Sequence, residues 1–197
     1  MTVEAAHWAV ESWALALGVI AQPLPVAKPA PVSPPSSPPT VAKVAPTLTH
    51  CQTGPIIVGR YHDNSDGTIT DLQTSLQWMR FSLGQEWKRG TCTGEARRCT
   101  WQQALIVAEM LNRKGDYAGY CDWRVPTIKE LKTLIDQSGS PTINQLAFPN
   151  TPPQWYWSSS AYANYPTDAW GIHFSSGNDY VGSKSYDHYT RLVRGRQ

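Results

Sequence analysis

Apolar and polar residues follow distinct patterns along this chain, and each pattern predicts a different kind of structure. Helical periodicity begins after Thr100 and again after Thr127, and each segment starts with a capping-box sequence, Thr-x-x-Gln or Thr-x-x-Glu. Short alternating runs typical of β-strands precede the first helix, and similar runs follow the second from Trp155 onward. Strands, two helices and further strands together predict an α+β domain.

The first strands are predicted to form a β-hairpin. Its arms are Ile56 to Tyr61 and Thr68 to Asp71, joined by the turn residues Asp63 to Gly67, and Leu76 to Met79 adds a further strand. An EF-hand loop aligned on Gly67 would need acidic residues at its two ends, where this chain has His62 and Gln73. We therefore expect a polar turn here and no calcium site.

Proline marks the boundary of the folded domain. More than half of the 16 prolines fall within residues 23–50, a stretch without aromatic residues, which predicts a disordered, extended linker more readily than a ligand for an SH3 domain. Residues 1–22 contain an apolar run that resembles the centre of a signal peptide, but Glu4 and Glu11 precede it and no Lys or Arg does. A short amphipathic helix is the alternative. The ligand-binding domain is expected at residues 51–197.

Composition narrows the classes of function. The net charge is only +2 and 16% of the residues are charged, so no strong positive field indicates a nucleic-acid partner. No run approaches the roughly 20 apolar residues of a membrane span. Nine Trp and nine Tyr in a weakly charged chain favour a secreted or surface protein that binds a ligand. Oligomerisation remains open.

Four cysteines fall within the predicted domain. Cys92 and Cys99 flank a short polar loop and are the favoured disulfide pair, which would leave Cys51 to pair with Cys121. Two disulfides indicate an oxidising compartment, so we expect the protein outside the cell or on its surface. Four free thiols in a cytoplasmic protein are the alternative.

The search for chemistry finds little. Ser158, Asp168 and His173 are the residue types of a catalytic triad, but their spacing does not support one, and no known nucleophile, phosphate or metal motif is present. We expect no catalytic residues, metal or cofactor. Arg124 is interpreted as a structural arginine paired with a carboxylate. A basic cluster near the cysteine loop is either a solvated face or a site for sulfated sugar or phosphate; its members are Lys88, Arg89, Arg97 and Arg98.

Several ordered motifs resemble a known family. TWQQALIVAEMLN, GDYAGYCDWRVPTIKELKTLID, WYWSSS, AWGIHFSSG and TRLVRG resemble the Lcl_C family, the C-terminal domain of collagen-like adhesins, across residues 59–195. The resemblance implies a C-type-lectin-like fold with paired terminal strands, two helices and a second small sheet with long loops. It also implies adhesion or ligand binding outside the cell. The calcium-binding strings of such lectins are incomplete here, which argues against calcium-mediated sugar binding.

The stretch after Trp155 resembles the variable region of proteins diversified by retroelements that mutate adenines. Many residues in it belong to the set that mutated Asn codons produce, including Gly171, Gly182 and Thr190, whereas Trp157, Trp170 and Phe174 belong to a constant frame that we expect to be buried. Tyr, Ser, Asn and Asp in loops are also typical of antibody-like binding surfaces. The predicted ligand-binding residues are Trp155, Tyr162, Asn164, Tyr165, Asp168, His173, Asp179, Tyr180, Ser183, Ser185, Tyr186, Asp187 and His188.

These observations favour a non-catalytic module that binds a protein or a glycan. A sulfated-glycan adhesin using the basic cluster, or a structural subunit without a ligand, is the alternative. An enzyme is disfavoured, because formylglycine-generating enzymes, which have a related fold, need an active-site cysteine pair and this chain has no cysteine after Cys121. We expect Tyr162, Tyr165, Tyr180, Tyr186 and His188 to be largely exposed.

Overall fold

The computed structural model describes residues 54–113 and 117–195 of the 197-residue chain. The predicted N-terminal segment 1–22, the linker 23–50 and the expected domain start at Cys51 lie outside these residues. The described part is α+β, as predicted. Its elements are β1 (Ile56–Ile57), β2 (Tyr61–Asp63), β3 (Thr68–Asp71), β4 (Leu76–Met79), β5 (Glu86–Lys88), β6 (Thr91–Thr93), α1 (Trp101–Arg113), α2 (Ile128–Lys132), β7 (Trp155–Ala161), β8 (Asp168–His173), β9 (Asn178–Ser183) and β10 (Val193–Arg194).

The largest sheet joins the two ends of the described chain. Its five antiparallel strands lie in the order β1-β2-β3-β4-β10. The last strand pairs with β4 and places Val193 opposite Trp78, and both side chains are completely buried. The two terminal strands, β1 and β10, thus lie at opposite edges of one sheet, and the pairing of β10 with β4 also builds the core.

The predicted hairpin forms between β2 and β3, but Ile56 to Tyr61 is not the single strand that alternation predicted. The chain reverses after Ile57, where Val58 and Gly59 both have positive φ and the Arg60 N–H donates to the Ile57 carbonyl at 3.2 Å. Glycine adopts this left-handed conformation at low cost. Ile57 is thereby paired with Tyr61, and the arm folds back on itself.

Two smaller sheets complete the β-structure. β5 and β6 form a two-stranded hairpin. β7, β8 and β9 form a three-stranded antiparallel sheet, which is the second sheet of the domain by size. A short segment around Tyr189 extends this second sheet beyond β7: the Tyr189 N–H donates to the Trp155 carbonyl, and the Tyr189 carbonyl accepts from the Trp157 N–H. The strands of the second sheet, together with the segments that follow β7 and β9, carry the residues predicted to bind a ligand.

Both helices start at the predicted capping boxes. Before α1, the Thr100 N–H donates to the Gln103 side chain at 2.9 Å, and the Gln103 N–H reaches the Thr100 hydroxyl at 3.4 Å. Thr127 and Glu130 make the same reciprocal contacts before α2. These bonds satisfy backbone donors that the first helical turn leaves without partners.

Two apolar clusters fill the interior. Trp78, Tyr156 and Phe174 belong to the cluster between the large sheet and the second sheet, and Trp123 and Trp157 belong to the cluster beneath α1. All five side chains are at most 1% exposed. Large aromatic rings therefore supply much of the apolar burial in this domain.

Arg124 pairs with a carboxylate, as predicted. Its guanidinium donates two hydrogen bonds to Glu130, at 2.8 and 2.6 Å, and the same carboxylate accepts from the Thr127 N–H. Burial alone would raise the pKa of Glu130, but the hydrogen bonds from Arg124 and Thr127 outweigh it and lower that pKa. One carboxylate thus caps α2 and fixes its position beside the segment before it.

Removing this charge should destabilise the domain. We expect Glu130→Gln to lower the free energy of unfolding by about 1–3 kcal/mol, since hydrogen bonds to a charged group are lost. Urea denaturation of the full chain measures the effect. Lys129→Gln, at the exposed neighbouring position, is the matched control and should change stability by less than about 0.5 kcal/mol. Equal effects of the two substitutions would contradict this role.

The predicted Cys92–Cys99 disulfide is wrong for this structure. Both residues are free thiols, buried at 2% and 6% exposure, and the Cys99 sulfur lies 3.9 Å from the Thr190 hydroxyl. Cys92 faces inward from β6, whereas Cys99 lies on the segment that bridges to His188, so proximity in sequence did not bring the sulfurs together. The pairing of Cys51 with Cys121 stays a prediction, since Cys51 lies outside the described residues.

Thiol labelling should distinguish the two arrangements. Burial raises the pKa of Cys99 to about 11 and also raises that of Cys92, so neither thiol should react readily in the folded chain. We expect both to label in guanidinium chloride without any reductant, as read by peptide mass spectrometry. A linked Cys92–Cys99 peptide after non-reducing digestion would contradict the structure.

Candidate functional site

The register of the second sheet assigns its side chains to two faces. Trp155 lies opposite His173 in the β7–β8 pair, and Gly171 lies opposite Trp157 on one side and Tyr180 on the other. Since alternate residues of a strand point to the same face, these residues share one face. The opposite face carries Tyr156 and Ile172 into the core.

Five rings form an aromatic cluster on the shared face: Trp155, His173, Tyr180, Tyr186 and His188. Trp155 is central, with its ring centroid 4.3 Å from that of His173, 4.2 Å from that of Tyr180 and 6.4 Å from that of His188. Tyr186 lies at the margin, 6.3 Å from His188 and 55% exposed. Its other members are half-buried. The aromatic cluster thus has one exposed ring, Tyr186, beside four rings that are partly shielded from solvent.

The segment 184–188 crosses beside this cluster and is held at both ends. At one end, the Lys184 N–H donates to the Thr167 carbonyl, and the Lys184 carbonyl accepts from the Trp101 N–H. At the other, His188 and Cys99 exchange two backbone hydrogen bonds, at 2.9 and 3.0 Å. Anchored ends position Tyr186 and Asp187 between them.

His188 is the most buried polar group of the cluster. Its ring centroid lies 4.4 Å from that of Trp157, and its Nε2 has no hydrogen-bond partner among the described residues. Burial is the main cause that lowers the pKa of His188; Arg98 and His173 lower it further, while Asp187 raises it. Burial also lowers the pKa of His173. Both shifts favour the uncharged imidazole.

A second group of predicted residues lies apart from the aromatic cluster, around the loop between β7 and β8. The rings of Tyr162 and Tyr165 stack with centroids 5.9 Å apart, and the Asn164 amide donates to the Tyr162 hydroxyl at 3.1 Å. Tyr162 also meets Trp170 edge-on. Asp168 begins β8 directly after this loop and accepts from Thr167. This second group is a separate exposed surface.

The remaining predicted residues are dispersed. Asp179 points away from the aromatic cluster and forms an ion pair with Lys132 of α2 at 2.6 Å, which lowers the pKa of Asp179. Ser183 and Ser185 share a hydrogen bond of 2.9 Å at the end of β9. The predicted residues thus lie on different faces of the second sheet and its adjoining segments, a separation that the sequence did not predict.

Several predicted exposures are corrected. Tyr165 and Tyr186 are exposed as expected. Tyr162, Tyr180 and His188 were expected to be exposed but are half-buried, because their rings pack on neighbouring aromatic rings. In the predicted frame, Trp157 and Phe174 are fully buried, but Trp170 is half-exposed. Trp170 lies on the same face of β8 as Ile172, two residues nearer the β7–β8 loop, and its ring centroid is 5.4 Å from that of Tyr162.

Two glycines allow close approaches in the second sheet, one of a ring and one of a backbone carbonyl, a role that the sequence did not indicate. A Cβ on Gly182 would lie 2.4 Å from the Tyr180 ring, so this ring lies across Gly182. A Cβ on Gly171 would lie 2.6 Å from the Tyr156 carbonyl oxygen. Both were predicted as diversified loop positions, yet both are buried. Close packing around Gly171 and Gly182 leaves no space for a side chain, and the local sequence does not indicate this packing.

The predicted basic cluster is divided between two places. Lys88 and Arg89 are at the exposed end of the β5–β6 hairpin, where Lys88 pairs with Glu86. The backbone N–H of Arg97 donates to the Leu83 carbonyl, before the start of that hairpin. The Arg98 guanidinium lies over the Tyr189 ring, 5.2 Å from its centroid. Arg97 and Arg98 thus contact other parts of the fold than Lys88 does.

The three residues of the rejected triad are each engaged elsewhere. The Ser158 hydroxyl donates to the Trp170 carbonyl at 2.7 Å, His173 shares a hydrogen bond with Ser175, and Asp168 accepts from Thr167. In residues 54–113 and 117–195, no three His, Cys, Asp or Glu side chains are grouped as a metal site would require.

The carboxylates of the predicted turn accept hydrogen bonds from the backbone of the same turn. The Ser65 N–H donates to Asp63, and the Thr68 N–H donates to Asp66.

Fold and site together define a small α+β domain whose C-terminal sheet presents aromatic and polar side chains. The family model for the Lcl C-terminal domain matches residues 67–194, well over half of the chain. The chain therefore belongs to the Lcl C-terminal domain family, which confirms the predicted family. A comparison with curated proteins finds no match. Within the described ranges, neither helix has the length and apolar character needed to cross a membrane.

Acid should weaken the fold through His188. Its pKa in the folded chain lies below the ordinary 6.5, so the unfolded chain binds the proton more tightly. The stability due to the neutral ring is therefore complete above about pH 6.5 and is lost as the pH falls through the lower, folded value. We expect the Tm of the full chain to fall from pH 7.5 to pH 5, and to fall less in His188→Phe, which retains a ring without Nε2.

Ser185→Ala, in the same segment, is the control and should keep the pH dependence of the unmodified chain. Thermal denaturation followed by circular dichroism measures all three proteins. An identical pH dependence in His188→Phe would show that this imidazole does not couple protonation to folding.

Proposed function

We propose that this domain is a non-catalytic, C-type-lectin-like module that binds a protein or glycan ligand through the surface formed by residues 155–190. The observation that carries the proposal is the division of this segment into a buried frame and a displayed set of polar and aromatic side chains. Trp157, Ala169 and Phe174 are completely buried, whereas Tyr165, Tyr186 and Asp187 are exposed.

The chemistry of the displayed side chains supports binding. Tyrosine and tryptophan offer large rigid surfaces that lose little conformational entropy on binding, and serine, asparagine and aspartate adapt their hydrogen bonds to a partner. The aromatic cluster supplies the first kind of group, and Asn164, Ser185 and Asp187 are exposed examples of the second. The same surface has few charges, so contacts at short range should dominate over long-range steering.

The topology is compatible with a C-type-lectin-like fold. The first and last strands belong to one sheet, although at its opposite edges, and the two helices come between that sheet's first four strands and β7 in chain order. A small separate sheet carries the long C-terminal segment. Placement outside the cell is part of the proposal and follows from the adhesive character of the resembled family. The disulfide argument no longer supports it, because Cys92 and Cys99 are free.

Diversification by a retroelement would explain this division between frame and display. Most residues of the predicted variable set are exposed or half-buried, and the exceptions are two glycines and Thr190. The nucleotide sequence decides the question: a near-copy of codons 155–197 with adenine substitutions beside the gene supports diversification. Its absence, together with no excess of adenine-derived codons, would oppose it.

Binding and stability should separate at two residues. We expect Tyr186→Ala to lower binding by about 2 kcal/mol or more and to change stability by less than about 0.5 kcal/mol. Trp157→Ala should instead lower stability by about 3–5 kcal/mol, because it empties a buried ring site. The full chain is screened on glycan and protein arrays, hits are titrated by calorimetry, and thermal denaturation measures stability.

Tyr165→Ala tests whether the second exposed group also takes part in binding. A Tyr186→Ala variant as unstable as Trp157→Ala would contradict the assignment of the binding face. A folded chain that binds nothing on either array would favour the structural-subunit alternative.

A further inference from the structure

The aromatic cluster is built like a receptor for a positive charge. Trp155 presents its ring among Tyr180, His173 and His188, and the two ring contacts nearest to it are 4.2 and 4.3 Å between centroids. Tyr186 stands at the margin with just over half of its surface in solvent. A cation over partly desolvated Trp or Tyr rings is attracted by their quadrupoles more strongly than it is at a fully exposed ring.

Neighbouring rings show that this domain already uses such contacts. The Lys184 ammonium lies 4.3 Å from the Trp101 ring centroid, and the Arg98 guanidinium lies 5.2 Å from that of Tyr189. Across residues 54–113 and 117–195, by contrast, no Lys or Arg lies over a ring of the aromatic cluster. Its rings are therefore available to a cation from outside the domain.

Local charge favours the same kind of ligand. Asp187 is exposed between Tyr186 and His188, and in the described part of the chain it forms no ion pair. Charges of both signs act on His188, since Arg98, which lies over the Tyr189 ring at 5.2 Å, lowers its pKa and Asp187 raises it. Asp187 is the charge directly next to the exposed Tyr186 in the chain. The nearby Lys184 is occupied by Trp101 and by the Pro166 carbonyl at 2.6 Å. Lys132 is likewise paired with Asp179.

We propose that the aromatic cluster receives a lysine or arginine side chain of a protein partner, with Tyr186 and Trp155 contacting the cation and Asp187 balancing its charge. This inference rests on the proposed function and selects a protein over a glycan as the ligand. An uncharged sugar could only donate hydroxyl hydrogen bonds to Asp187 and would gain no charge–charge attraction, and a sulfated sugar would meet a like charge there.

A pair of small probes isolates the charge. Nα-acetyl-lysine N-methylamide carries the ammonium, and the same molecule acetylated at Nε is neutral and similar in shape. Each is titrated to 50 mM into the 15N-labelled full chain at pH 7.5, with the indole N–H signals of tryptophan as the readout. We expect the charged probe to shift the Trp155 signal and the neutral probe to bind at least about fivefold more weakly, which corresponds to about 1 kcal/mol of cation–π and ionic attraction.

Variants locate the site. Tyr186→Ala and Asp187→Asn should each weaken the charged probe by about threefold or more, a modest loss because each removes one exposed contact. Tyr165→Ala and Asp168→Asn, the matched changes in the second exposed group, should leave it unchanged. The amide spectrum of each variant verifies that it is folded.

The outcomes are separable. Equal binding of the two probes at Trp155, or no shift from either, would overturn cation recognition while the array experiment still decides ligand binding as such. Equal losses in the matched variants of the second group would also overturn it, because the charge would then act from elsewhere on the surface.

Discussion

The structure depends on the segment 188–193, which hydrogen-bonds to β4, to β7 and to the chain around Leu83, Cys99 and Arg124. His188 pairs with Cys99, Tyr189 with β7, and Val193 with Arg124, while the carbonyls of Thr190 and Leu192 accept from Leu83 and Met79. Thr190, Arg191, Leu192 and Val193 are all completely buried. Backbone groups buried this deeply need hydrogen-bond partners. Here β4, β7 and the chain around Leu83, Cys99 and Arg124 supply them. Loss of this segment would therefore remove backbone hydrogen bonds that connect these parts.

Arg191 adds a constraint within that segment. Its guanidinium is fully buried and donates to the Met79 carbonyl at 2.9 Å and the Thr151 hydroxyl at 2.7 Å, above the Phe148 ring. Burial lowers the pKa of Arg191, and no carboxylate in the described ranges pairs with it. Neutral oxygens must therefore hold the charge, and they do so only while three chain segments stay in place.

The candidate site is an extension of the same segment toward solvent. Immediately before His188 the chain leaves the interior, and Tyr186 and Asp187 project beside rings that β7, β8 and β9 hold in register. A rigid, buried seam next to an exposed binding segment lets surface side chains vary without loss of the fold. The proposed division between a constant frame and a variable display has this physical basis, and so does the expected separation of binding from stability at Tyr186 and Trp157.

The sequence by itself determined the family, the α+β class, the two capping boxes and the region that displays polar and aromatic residues, because each depends on local pattern or on motifs in order. It also indicated the Arg124 ion pair. Only the tertiary structure decided that Ile56 to Tyr61 folds back, that Cys92 and Cys99 stay apart, and that the basic residues are divided. It also decided which predicted binding residues meet: strand register and the bonds of His188 to Cys99 bring Trp155, Tyr180 and Tyr186 to one face and send Asp179 to the other. Such contacts join residues distant in sequence, and no local pattern encodes them.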